Sequence, residues 1–350
     1  MITSEFPPLP GGIGNHAFLL SKYLQKNEFE VSVMCDFRLE KEDLEFDTKQ
    51  HFKVYRTKRN PLTYINRIRK AFLLAKKKDV IICSGKFSLW LGGFLKLFFS
   101  NKKFVAVIHG SELKAGVKIS QFATKWSLSR FDKLIAVSEF TKQYALSVNK
   151  NLKIEVINNG IEITQKIEEF KKSEILSLVT VGNLTFRKGQ QNVIKALPLL
   201  KEKFSDIHYH CVGIPTEKEK FSELAKSLNV LENITFHGIL SDSQKNKIIQ
   251  ESSVFVMLSQ IVNNDFEGFG IAVLEANHLG LPAIGSKNSG IADAIKDGFS
   301  GILVNPENPT EIVNALSEIL NNYDVYSENA LQWSKKFDWD NIIKKYILHI

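Results

Sequence analysis

Glu267-Gly-Phe-Gly-Ile-Ala-Val-Leu-Glu275 decides how this 350-residue chain is read. Before it lies Val254-Phe-Val-Met-Leu258, with the length and β-branching of a buried strand, and after it come Gly280, Pro282 and a second short strand near Ala283 to Gly285. The pattern is one strand-helix-strand unit. Its helix should begin near Phe269 and stop at Gly280, because glycine suits the left-handed residue past a helix end and Pro282 cannot continue the helix.

Ile271, Ala272, Val273, Leu274, Ala276 and Leu279 leave the helix almost no polar face, so Glu275 reads as a carboxylate surrounded by packing. A charge there is costly unless something donates hydrogen bonds to it, and sugar hydroxyls can do so. Glu267 sits in the preceding loop. Gly268 and Gly270 let backbone approach a ligand, and the amides of Phe269 to Ile271 point outward at a helix start, a place for phosphate. The plain alternative is a solvated Glu267 and a Glu275 that pairs with His278 one turn on; the flanking glycines and the strand-helix-strand frame favour the outline of a nucleotide sugar.

Composition bounds the rest. The chain is long enough for two domains with proper cores, and 44% hydrophobic with 24% charged is ordinary for a water-soluble globular protein. Cys35, Cys83 and Cys211 lie in or beside apolar strand-like runs and form no CxxC, which argues against a disulfide framework or a zinc site and fits a reducing cytoplasm. Met1 is followed by polar residues and three prolines, so no signal peptide is expected. Phe87 to Phe99 is apolar but interrupted by Lys96 and too short to span a bilayer. Charge is uneven. Residues 1–160 carry 27 Lys and Arg against 14 Asp and Glu, a net +13, and the remainder carries 19 against 24, a net −5. Nucleic acid is not expected as a partner, since no recognised nucleic-acid motif accompanies the lysines, which alternate with large apolar residues. Leu89 to Lys103 reads either as a core helix with a solvated lysine edge or as a stretch lying on an anionic membrane surface.

Along the chain, strand-like and helix-like segments alternate twice. Strands are expected at Glu30 to Cys35, Phe52 to Arg56, Val80 to Cys83, Phe104 to Ile108, Lys133 to Val137 and Lys153 to Ile157, and again from Leu176 to Val304, with helices between. Arg38 to Gln50, charged and aperiodic, reads as a loop. The break falls in the polar segment Asn158 to Glu174. The expected architecture is α/β, with two doubly wound parallel sheets in residues 1–160 and 161–325, and closing helices over 326–350.

Pro10-Gly11-Gly12-Ile-Gly14-Asn-His16-Ala17 is a first glycine-rich loop. With Asp36 it matches a dinucleotide fingerprint on paper, but that fingerprint needs its first glycine directly after a strand, and Pro7, Pro8 and Pro10 intervene. His109 closes the apolar run Val105 to Ile108 and is followed by glycine. Val181-Gly-Asn183-Leu-Thr-Phe-Arg187-Lys188-Gly189 ends another strand with a basic pair, and Gly213 and Gly238 end two more.

On these residues the chain resembles the retaining glycosyltransferases of family four, enzymes of the two-domain GT-B fold. Glu267 and Glu275 match the E-x7-E signature, Gly11 and Gly12 the P-P-x-x-G-G-I-G opening, and Lys188 the K-G that follows a strand end. Two departures stand out: only Met1-Ile-Thr3 precede Ser4 where the family has a full strand, and Asn183 stands where an arginine is expected, with Arg187 available as a substitute. The resemblance implies two Rossmann-like domains facing across a cleft, an acceptor-side first and a donor-side second. It also implies sugar transfer from a UDP- or GDP-linked donor to a glycan or lipid-linked saccharide, with retention and without metal, in cell-surface polysaccharide or lipopolysaccharide synthesis. In that scheme Lys188, Arg187 and the amides near Phe269, Gly270 and Ile271 take the diphosphate and Glu275 the ribose. Asn183, Gly213 and Gly238 line the donor site. Glu267 and His109 act at the sugar, His109 arriving by closure of the first domain. An epimerase on the same fold, or a subunit that binds without turnover, remains open.

Overall fold

The computed structural model describes residues 1–58, 60–113, 118–163 and 175–350. Contacts divide the chain into one unit of Met1–Gly160 with Trp339–Ile350, and a second of Ile161–Asp338. Residues 164–174, most of the expected break, lie outside the described residues.

The first unit runs β1 (Ile2–Thr3), α1 (Gly12–Lys26), β2 (Ser32–Asp36), α2 (Glu40–Thr48), β3 (Lys53–Thr57), α3 (Thr63–Ala75), β4 (Val80–Ser84), α4 (Lys86–Leu95), β5 (Lys103–Ile108), α5 (Lys118–Leu128), β6 (Lys133–Ala136), α6 (Glu139–Val148) and β7 (Ile154–Val156). Its seven strands are parallel in the order β3-β2-β1-β4-β5-β6-β7. The chain reverses its direction of travel at β1, which is central yet only two residues long, pairing Ile2 with Met34 on one side and Cys83 on the other. Near-continuous apolar strands such as Phe104–Ile108 are buried from both faces, as a parallel sheet requires.

One expectation fails here. Within Arg38 to Gln50, Glu40–Thr48 is a helix, α2, and its charges have partners: the Asp43 carboxylate accepts the Arg38 and Leu39 amides at 2.6 and 3.0 Å and pairs with Arg56, buried on β3, at 3.0 Å. Asp47 meets the same guanidinium at 2.9 Å. A charged face that turns inward carries no apolar periodicity, so the helix was invisible to pattern.

The second unit runs β8 (Ser177–Val181), α7 (Gln190–Lys203), β9 (His208–Val212), α8 (Lys218–Ser227), β10 (Ile234–Gly238), α9 (Asp242–Glu251), β11 (Val254–Met257), α10 (Ile271–His278), β12 (Ala283–Ser286), α11 (Ile291–Ala294), β13 (Gly301–Val304), α12 (Pro309–Asn321) and α13 (Tyr323–Ser334). The six strands are parallel in the order β10-β9-β8-β11-β12-β13, with the switch point between β8 and β11. A core of Leu178, Leu197, Tyr209, Phe221, Val256, Leu316 and neighbours fills one face. The return to the first unit begins at Trp339, later than the expected 326. Residues 326–338 stay with the second unit because Tyr326 donates to Glu318 (2.7 Å), Trp333 donates to the Ala294 carbonyl (2.9 Å) and Phe337 packs on Phe269. Only α14 (Trp339–Ile347) belongs to the first unit, where it packs on α1 with Trp339 and Tyr346 fully buried.

Candidate functional site

In the second unit the site lies at the carboxyl ends of β8 and β11, where the strand order reverses and ligands of open parallel sheets bind. β8 ends at Val181, and a 3-10 turn, Phe186–Lys188, leads through Gly189 into α7. Gly189 has φ 86°, and a side chain there would meet the Leu258 carbonyl oxygen at 1.9 Å, so glycine is what lets the basic turn lie against the end of β11. The loop after β11 is pinned in turn: the Gly290 amide donates to the Glu267 carbonyl at 2.9 Å.

These two loops bring Glu267 against the basic pair. Lys188 Nζ lies 2.8 Å from Glu267 Oε2, the Arg187 guanidinium donates to the same oxygen, and Arg187 Nε is 3.5 Å from Asp265. Burial alone would raise the Glu267 pKa; Lys188 and then Arg187 outweigh it and hold the carboxyl below its ordinary value, hence ionised at neutral pH. The expected roles as a sugar-facing glutamate and two phosphate cations therefore fall on one connected cluster. Asn183 is exposed at the end of β8, and its carbonyl accepts from Gln190 at 3.1 Å.

α10 starts at Ile271, two residues later than expected, from Gly270 at φ 94°. Its first-turn amides at Ile271 and Ala272 have no carbonyl one turn back within the helix. The Phe269 side chain is buried against Phe337, leaving only its backbone to meet a ligand. Glu275 departs from the sequence reading. It is half-buried, with a third of its side chain exposed, and it has a charge partner in Lys245 of α9 at 3.4 Å, where the favoured reading has only ligand hydroxyls and the plain alternative has His278. A second element thus supplies a cation that sequence reasoning missed, since Lys245 is one lysine of a polar helix with no motif around it. Gly213 and Gly238 end β9 and β10, joined by a hydrogen bond from the Gly213 amide to the Gly238 carbonyl at 2.9 Å.

The first unit holds the remaining candidates. His109 follows β5 and is buried; its Nε2 is 3.0 Å from Ser84 Oγ, and its ring meets His16 edge-on at 4.9 Å. His16 reaches Tyr346 of α14 at 3.0 Å. Burial pushes His109 down to about 3, so the imidazole is neutral at physiological pH and can exchange hydrogen bonds without carrying charge. Glu112 clamps this corner, accepting the His109 and Gly110 amides at 3.1 and 2.8 Å. Burial still raises it to about 7 against those donors. His16, Ser84 and Glu112 were not singled out from sequence; His16 lies inside the glycine-rich loop, and that was its only signal.

Gly11 and Gly12 open α1. Gly11 is extended, at φ 172°, where a side chain would meet the carboxylate end of Glu5 at 2.8 Å, and a side chain on Gly12 would meet open space. Asp36, the acidic residue of the dinucleotide fingerprint, is buried against Arg67, whose Nε donates to it at 2.7 Å.

Comparison with known proteins agrees with this fold. Residues 161–336 match the family model described as glycosyl transferases group 1, and residues 10–165 match glycosyltransferase family 4. An uncharacterized glycosyltransferase of Methanocaldococcus jannaschii is 27% identical, the alignment covering 99% of this chain and 96% of that protein. A GDP-mannose-dependent alpha-(1-6)-phosphatidylinositol monomannoside mannosyltransferase of Mycolicibacterium smegmatis is 23% identical over 91% of this chain and 88% of its own. Among solved structures, Anabaena HepE in complex with UDP superposes with a TM-score of 0.80 at 18% identity, covering 99% of this chain and 98% of its own.

Proposed function

Since the chain belongs to the glycosyl transferases group 1 family, and is a glycosyltransferase on two Rossmann-like parallel sheets, we propose that it moves a hexose, with retention and without metal, from a UDP- or GDP-linked donor. The acceptor is a glycan or lipid-linked saccharide of the cell surface. The observation that carries the reading is Lys188 and Arg187 converging on Glu267 beside the start of α10. Once Glu267 turns away from them, the two cations and the helix-start amides can take a diphosphate without a divalent ion. Anabaena HepE, a protein of the same fold, is bound to UDP, which supports a nucleoside diphosphate as the guest.

In the reaction the bond from the anomeric carbon to the diphosphate breaks, and negative charge grows on the leaving oxygen. Lys188 and Arg187 would stabilise it, while Glu275, steadied by Lys245, accepts hydrogen bonds from the ribose. Glu267 would then turn to the donor sugar. The acceptor hydroxyl forms the new glycosidic bond and gives its proton to the departing diphosphate or to solvent.

The test is incubation with a panel of nucleotide sugars, with and without acceptor saccharides, reading free nucleotide and the anomeric configuration of the product. Nucleotide release that rises with acceptor, a retained anomer and activity undiminished by chelator are expected. Sugar interconversion without acceptor would replace the proposal with an epimerase, and binding without turnover with a silent subunit.

A further inference from the structure

The first unit's charge is segregated by face. The crossovers β3 to β4, β4 to β5 and β5 to β6 all run the same way across the sheet, so right-handed connections put α3, α4 and α5 on one side. Residues 60–78, 86–103 and 118–130, which contain these helices, carry thirteen Lys and Arg and not one Asp or Glu. The connections to β2 and β3 run the other way and put α2, with Glu40, Glu42, Asp43, Glu45 and Asp47, on the opposite side.

Among those cations, large apolar side chains face solvent. On and just before α3 these are Leu62, Tyr64, Ile65, Ile68 and Leu73, with Ile65 63% exposed. At the start of α5 they are Ile119 and Phe122, 82% and 70% exposed, and past the end of α4 Leu97 and Phe98. The three helices make one surface: Tyr64 packs on Phe87 of α4 at 5.1 Å, Trp90 of α4 donates to Thr124 of α5 at 3.0 Å, and Phe72 of α3 meets Phe98 at 5.6 Å. The stretch Leu89 to Lys103 is divided: Leu89, Leu91 and Leu95 are core, while Leu97 and Phe98 are exposed.

We propose that this α3–α4–α5 face docks on an anionic lipid bilayer, its leucines, isoleucines and phenylalanines entering the boundary between headgroups and acyl chains while Arg69, Lys76, Lys77, Lys118 and Lys125 meet lipid phosphate. Interleaved aliphatic and cationic side chains without acids suit that boundary. Nucleic acid would use the cations and leave the isoleucines wet. A symmetric dimer would set the all-basic face against itself. No described helix is long and apolar enough to cross a membrane, so this surface would lie on the bilayer. Docking does not depend on which reaction the second unit performs.

The experiment is co-sedimentation of the full chain with vesicles of phosphatidylcholine alone and with about 30% phosphatidylglycerol, at low salt and at about 0.5 M salt, where the Debye length is only a few Å. Binding to the anionic vesicles, weakened by salt, is expected. Ile65→Ser with Phe122→Ser should weaken it by about tenfold or more, and each of Arg69→Gln, Lys76→Gln and Lys77→Gln by about fivefold. Thermal melting and UDP binding, measured on the same variants, should stay at wild-type values and separate this proposal from the reading of the donor site. Absent binding at low salt, equal binding to neutral vesicles, undiminished binding by the folded variants, or a concentration-dependent dimer abolished by these substitutions would each overturn it.

Discussion

Lys188 Nζ and the Glu267 carboxylate, from separate loops of the second unit, stand 2.8 Å apart, with Arg187 on the same oxygen. The carboxylate occupies the cations that a diphosphate would need, so donor binding becomes an exchange of one anion for another. Lys188→Ala should weaken UDP or GDP binding by about 1.5–3 kcal/mol, roughly 10- to 150-fold, with little loss of stability because Arg187 still neutralises Glu267. Glu267→Gln should leave nucleotide binding equal or tighter while transfer falls by about tenfold or more. Calorimetry with the nucleotides beside turnover measurements checks both. Equal weakening by the two variants would show that Glu267 holds the site's geometry and is not displaced.

Glu275 and Lys245 are partly exposed, so their pair contributes about 1 kcal/mol or less to stability. Glu275→Gln should therefore shift melting by only a degree or two while weakening donor binding by roughly tenfold, the loss of a charged acceptor for ribose hydroxyls. A variant that melts early and binds normally would assign the glutamate to packing.

Acid should destabilise the second unit through His210, while in the first unit His109 and Glu112 oppose each other. Burial holds His109 at about 3 and His210, which touches His237 on β10 at 3.0 Å, at about 4, both below the usual 6.5. Below pH 6.5 the unfolded chain takes protons that the folded chain refuses. These histidines thus cost nothing above 6.5 and reduce stability as pH falls, by up to about 1.4 kcal/mol per pH unit each, until their folded values are passed. Glu112, raised to about 7, works the other way: from 4.5 to 7 the unfolded carboxyl ionises first, so its contribution falls as pH rises. Urea midpoints at pH 7.5, 6 and 5 should decline, and His210→Gln should flatten the decline.

The Arg56 cluster predicts a large stability effect remote from any chemistry. Asp43→Ala removes one partner of a buried guanidinium and leaves the Arg38 and Leu39 amides without their acceptor, which should cost the first unit about 3–5 kcal/mol. Arg56→Met with Asp43→Leu should recover much of it. Equilibrium unfolding followed in both variants decides between them.

Much of the fold was legible because its signals are local. Apolar runs such as Val254 to Met257 and the glycines at 270 and 280 bracket β11 and α10 within two residues of expectation. The basic pair at 187 and 188 and the glutamate at 267 could each be nominated from their flanking glycines. Missing from any local window was the assignment of partners: Lys245 to Glu275, Arg56 to the acids of α2, and α13 to the second unit.

From sequence alone came two parallel α/β sheets, the loops at their carboxyl ends and the residues able to meet an anion there. Tertiary structure alone decided that Glu267 pairs with both cations, that Glu275 is half in water, that Phe269 faces inward and that many of the first unit's exposed apolar side chains share a face with lysines and arginines. The division has a physical cause. Periodicity and turn chemistry act between residues a few positions apart. An ion pair or a shared surface instead depends on where two distant segments cross, and that crossing is set by the packing of the whole sheet.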